Sequence, residues 1–92
     1  MLEMTIYGDP KKVAESGYDI KEFNETIRKI CLDTNFIEIG PNQYRLKEGY
    51  NEIGSMLNLR TSLNVLRYIF SNLGKWTVYT DEDGEMDGLL YL

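Results

Sequence analysis

The sequence contains no histidine and a single cysteine, Cys31. Without histidine, the usual acid–base group near neutral pH and the commonest zinc ligand are both missing. A cysteine–histidine nucleophile pair is excluded. One cysteine forbids an internal disulfide, which fits a reducing compartment such as the cytoplasm. The longest mostly apolar stretch, Val65 to Phe70, is interrupted by Arg67, so nothing approaches a membrane span. The opening Met1-Leu2-Glu3-Met4 has no basic n-region and no apolar h-region, so no signal peptide is expected. Basic residues are missing altogether beyond Lys75.

What is present suits one small folded unit spanning residues 1–92. Hydrophobic residues make up 42% and aromatic residues 12%, enough for a modest core and too much for disorder. Seven residues are tyrosine, whose ring and hydroxyl suit half-buried sites and contact surfaces. Fifteen carboxylates face ten bases, a net charge of −5. That balance opposes direct binding to nucleic acid or to anionic membranes, since both need Lys and Arg. It favours a basic partner, or it serves solubility. The charge is uneven. Residues 1–40 carry eight acids and five bases, 41–75 two acids and five bases, and 76–92 five acids and no base.

The periodicities predict the order β-α-α-β-β-α-β-β. Leu2, Met4 and Ile6 alternate with Glu3, Thr5 and Tyr7 as in a half-buried strand. Asp9 and Pro10 open a short helix that Gly17 ends. Asp19, with Glu22 three residues on, caps a second helix running to about Thr34, on which Glu25 and Lys29 form an i,i+4 pair. Phe36–Ile39 and Gln43–Lys47 flank Gly40-Pro41-Asn42 as a hairpin. Tyr50 to Leu73 reads as helical up to Gly74, with a possible break at Asn58–Thr61. Trp76, Val78 and Leu89–Tyr91 predict a last hairpin around Asp81–Asp87. Short, hairpin-connected elements predict an α+β fold: an antiparallel sheet packed by two main helices on one face.

No catalytic, cofactor-binding or metal-ligating residue is nominated, and the chain reads as a non-enzyme. Cys31 falls on the apolar stripe of the second helix and reads as a small buried hydrophobe. Asp81, Asp83, Glu85 and Asp87 faintly suggest a calcium loop. Counting from Asp81, however, position 6 is Met86 instead of Gly and position 12 is Leu92 instead of Glu. Glu52–Leu59 followed by Arg60–Arg67 has the outline of a helix-turn-helix with a winged hairpin, but the wing would present five carboxylates to phosphate. Two readings of the acids stay open. They form a solvated face, or they form a row. Residues two apart on a strand lie about 6.6 Å apart on one face. Asp81, Asp83, Glu85 and Asp87 have that spacing beside Glu82, while Asp19, Glu22 and Glu25 add an i,i+3 row on the second helix. Such rows imitate the regular charge of a nucleic-acid backbone, and a basic groove would accept them.

The length, the acidic C-terminal hairpin and the segments Met1-Leu2-Glu3-Met4-Thr5-Ile6-Tyr7 and Asp81-Glu82-Asp83-Gly84-Glu85-Met86-Asp87 resemble the anti-restriction nuclease (Arn) family of T-even-type phages. The resemblance implies a DNA-mimic inhibitor, acting as a homodimer in the host cytoplasm. Its targets would be a restriction nuclease of the McrBC type or a histone-like nucleoid protein, both basic DNA-binding partners. Tyr44, Tyr50, Tyr68 or Tyr79 would then supply the dimer contact. The alternative is a winged-helix-like protein-interaction or transcription-adaptor domain that uses the C-terminal half through apolar contacts.

Overall fold

The computed structural model describes residues 1–91; Leu92, position 12 of the calcium-loop count, lies outside them. The α+β expectation holds. The elements are β1 (Leu2–Gly8), α1 (Pro10–Glu15), α2 (Ile20–Asp33), β2 (Phe36–Gly40), β3 (Gln43–Leu46), α3 (Glu52–Val65), α4 (Tyr68–Ser71), β4 (Leu73–Thr80) and β5 (Gly84–Asp87), then a 3₁₀ turn, η1 (Gly88–Leu90). The sheet has the order β2-β3-β1-β4-β5, and every neighbouring pair is antiparallel.

Alternation decides which face is covered. Leu2, Met4 and Ile6 of β1, Tyr44 and Leu46 of β3, and Trp76 and Val78 of β4 are buried. They form one core with Val13, with Phe23, Ile27 and Cys31 of α2, with Met56, Leu59 and Leu63 of α3, and with Ile69 of α4. All helices therefore lie on one side, and the face carrying Glu3, Thr5 and Tyr7 is open. The caps follow the sequence. The Asp9 carboxylate accepts from Lys11 and Lys12 N–H, Asp19 from Glu22 N–H at 3.0 Å, and Asn51 from Gly54 N–H at 2.7 Å.

Four local expectations are corrected. First, α3 runs unbroken through Asn58–Thr61, and the interruption falls at Leu66–Arg67. An unbroken helix would point Ile69 about a third of a turn away from Leu63. The break instead brings Ile69 into the core. A helix-turn-helix with its turn at Asn58–Thr61 does not form. Second, helical structure ends at Ser71, not Gly74. Asn72 is buried; its carbonyl accepts from Asp9 N–H at 2.9 Å, its amide donates to the Tyr68 carbonyl, and its Oδ1 accepts from Ser16 Oγ. This polar knot turns the chain into β4. Gly74 stands so close to Asp9 that an added Cβ would lie 3.0 Å from the Asp9 backbone. Third, Leu89 and Leu90 lie in η1, not in a strand. Gly88 sits on the Trp76 indole, where a side chain would collide, and the Asp87 carboxylate caps Leu89 N–H at 2.9 Å. Fourth, Glu25 pairs with Arg28 at 3.2 Å, not with Lys29, because Arg28 also reaches Glu38 of β2 at 3.1 Å.

Candidate functional site

The acidic residues fall into two groups, and β1 separates them. Asp81, Glu82 and Asp83 form the β4–β5 turn, while Glu85 and Asp87 lie on β5. Leu2 pairs with Thr80, so this turn stands at the Leu2 end of β1. Asp19, Glu22 and Glu25 lie in the first half of α2. Between Glu22 and Glu25, the Asn24 side chain accepts from Gly8 N–H at 2.8 Å, which fixes that half of α2 at the opposite end of β1. Seven strand residues span roughly 20 Å. The structure thus brings the hairpin acids together and the α2 acids together, but does not merge them into one patch.

Within the hairpin group all five carboxylates are exposed, and their roles differ. Asp81 accepts from the Met1 amino group at 3.1 Å, and this contact, with its charge, holds that ammonium above its ordinary pKa. Asp87 is occupied as the cap of η1. Glu82, Asp83 and Glu85 have side chains with no hydrogen bond or ion pair among the described residues. The Asp83 N–H donates to Thr80 Oγ1 at 3.0 Å and shapes the turn. Glu85 and Asp87 keep the i,i+2 relation on one strand face, whereas Asp81 and Asp83 leave it to make the turn. In the α2 group, Asp19 is a cap and Glu25 is paired with Arg28, leaving the Glu22 carboxylate unpaired. Among the described residues no group of three His, Cys, Asp or Glu side chains is arranged to hold a metal ion.

The open sheet face lies on the far side of the sheet from α2, with Glu85 and Asp87 at its β5 edge. One row across it runs Ile37, Arg45, Glu3, Tyr79, Glu85 in hydrogen-bonding register. Arg45 Nε and Nη2 both meet Glu3 Oε2 at 2.7 Å, so the centre of the row is neutral and its β5 end is negative. Of the tyrosines expected at a contact, Tyr44 is excluded. It lies inside the core, because β3 turns it toward the helices, and burial raises its pKa further. Tyr79 and Tyr50 are exposed, and Tyr68 stacks on Tyr18 at a 4.4 Å centroid separation.

Comparison with protein-family models, curated proteins and solved structures gives no match. In the sequence Leu59, Leu63, Leu66, Phe70 and Leu73 follow one stripe, and Ile53, Met56 and Leu57 form a second cluster. In the structure Met56 is buried while Ile53 and Leu57 face water. The signal was available: Met56, Leu59 and Leu63 define one helical stripe, and Ile53 and Leu57 fall to one side of it. Among the described residues no helix is long and apolar enough to cross a membrane.

Proposed function

We infer that the chain is a non-enzymatic DNA-mimic inhibitor. Its acidic surface occupies the DNA-binding site of a basic host protein in the bacterial cytoplasm, either a restriction nuclease of the McrBC type or a histone-like nucleoid protein. One observation carries this reading: Glu82, Asp83 and Glu85 stand exposed and unpaired on a segment, residues 76–92, that contains no base.

The carboxylates stand in for phosphates. A DNA-binding groove holds Lys and Arg that DNA neutralises, and an acidic edge competes for the same cations. The α2 acids extend the contact. They lie roughly 20 Å away along β1, about six base-pair steps of DNA at ~3.4 Å each. A groove that accommodates a short duplex therefore spans both groups. A two-fold homodimer, with the exposed Tyr50 or Tyr79 at the contact, doubles the charge and lengthens the mimic.

The test is a pull-down from bacterial lysate with the tagged chain, repeated with excess duplex DNA and across a salt series. Capture of basic DNA-binding proteins that DNA and salt both release is the expected result. The triple variant Glu82→Lys, Asp83→Lys, Glu85→Lys should lose them, and it leaves the Asp81 ion pair and the Asp87 cap untouched. Partners that remain bound in the presence of DNA, or that the triple variant still captures, would overturn the reading.

A further inference from the structure

Four aliphatic side chains stand in water beside the acidic turn. Ile53 and Leu57, one turn apart on α3, are 59% and 49% exposed, and Leu89 and Leu90 on η1 are 43% and 79% exposed. Contacts at both ends join them into one surface. Arg60, three residues beyond Leu57, donates from Nη1 to the Leu89 carbonyl at 3.3 Å. At the other end Tyr91 is half-buried against the core; burial raises its pKa, and the nearby carboxylates of Glu52, Asp83 and Glu82 add to that rise. Leu89 thus stands beside Arg60, and Leu90 and Tyr91 follow it in and just after the same turn. The Met1 ammonium closes the same corner, 3.1 Å from Asp81 and 3.7 Å from Glu52.

A cluster of exposed aliphatics rimmed by polar groups marks an interaction surface. The rim selects the occupant. Glu52, Asp81, Glu82 and Asp83 put four carboxylates at one end, and the cation at the other end, Arg60, is engaged with a carbonyl. An anionic membrane is repelled by such a rim. A second copy seated by two-fold symmetry would offer the four carboxylates only Arg60, which is already engaged with a carbonyl. The complementary shape and charge belong to a helix with an apolar stripe and flanking Lys or Arg. Ile53 to Arg60 covers two turns of α3, room for partner anchors at i, i+3 or i+4, and i+7.

We propose that the α3–η1 face binds a basic amphipathic helix of another protein, its apolar stripe on Ile53, Leu57, Leu89 and Leu90 and its cations on Glu52, Glu82 and Asp83. This inference stands apart from DNA mimicry, because it rests on the aliphatic cluster and not on the spacing of carboxylates.

The experiment titrates the full chain into a fluorescein-labelled Leu/Lys peptide whose leucines recur at helical spacing, and into a scrambled peptide of identical composition. Anisotropy gives the affinity, and Trp76, lying under Gly88 at the start of η1, gives a label-free signal. The helical peptide should bind about tenfold more tightly than the scrambled one. The double variant Leu57→Ser, Leu90→Ser should lose roughly tenfold in affinity with an unchanged circular dichroism spectrum. A second variant, Glu82→Gln with Asp83→Asn, removes no apolar contact; it should weaken binding and flatten its salt dependence. Equal binding of the two peptides would reduce the contact to bulk charge and overturn the proposal. So would an unaltered affinity in both variants. A wild-type dimer that Leu57→Ser, Leu90→Ser dissociates would assign the face to a second copy, and flotation with phosphatidylglycerol vesicles would assign it to lipid; either defeats the proposal.

Discussion

Helices α2 and α3 have the same length, fourteen residues, and divide the helical layer between them, yet they treat their outer surfaces oppositely. α2 buries Phe23, Ile27 and Cys31 and turns charged or polar groups outward, where Arg28 ties Glu25 to Glu38 of β2. No large apolar side chain of α2 stands exposed. α3 buries Met56, Leu59 and Leu63, but leaves Ile53, Leu57 and Val65 in solvent, and the segment packed beside it adds Leu89 and Leu90. A helix whose stripe is no wider than its contact area needs nothing more than its own sheet. A helix that is apolar beyond that contact needs something else to cover it. The outer face of α2 is polar, and that of α3 is partly aliphatic.

The largest expected effects test that division in the core. Phe23→Ala on α2 and Leu59→Ala on α3 should each cost about 2–5 kcal/mol, read from urea unfolding followed by Trp76 fluorescence. Leu57→Ala, two residues from Leu59, should cost less than about 0.5 kcal/mol. A Leu57 cost matching that of Leu59 would mean that the outer stripe serves folding, and the contrast between the helices would collapse. Next come the caps. Asp19→Ala and Asn51→Ala remove equivalent hydrogen bonds, at 3.0 and 2.7 Å, and each should cost about 1 kcal/mol. A much smaller cost at Asn51 would sharpen the comparison by showing a looser α3 start.

The last effect is set by pH. Burial pushes the Cys31 thiol from an ordinary value near 9.0 up to about 12, and burial likewise raises Tyr44 above its usual 10.0. Both groups hold their protons more tightly folded than unfolded. Their contribution is therefore whole below about pH 9 and is lost as pH climbs toward 12. Both belong to the α2 side, so alkaline conditions should loosen that half first. Amide exchange at pH 7 and pH 10 would check this: faster exchange in α3 than in α2 at the higher pH would contradict it. At neutral pH, Cys31 should resist alkylation until urea unfolds the chain.

Much of this fold was legible because local chemistry and tertiary packing agreed. The Asp9-Pro10 and Asp19…Glu22 signals act within one turn of helix, and alternation in Leu2–Ile6 needs only one covered face. The failures share a cause. Asn72 ends helical structure through bonds to Asp9, Ser16 and Tyr68, partners as far as 63 residues away that periodicity cannot reveal. Gly74 reads as a helix stop, but Asp9 presses against it, as Trp76 does against Gly88. The acidic rows were visible as spacing. Their separation to opposite ends of β1 was not, since it depends on where Gly8 meets Asn24 and where Leu2 meets Thr80. The aliphatic patch was visible as a cluster, but hydrophobicity alone does not say which of two adjoining stripes faces inward.

The strand order also has a consequence in time. β1 is the central strand, yet its partners β3 and β4 come late in the chain, with Leu2 opposite Thr80. The β2–β3 hairpin and the contact of α2 with β2 close short loops and can form early. The middle of the sheet cannot be completed until β4 has been made, because such a distant pairing must first overcome the entropy of closing a long loop. On the ribosome, β1 must wait for β4, and the sheet should close only once Thr80 is clear of the exit tunnel.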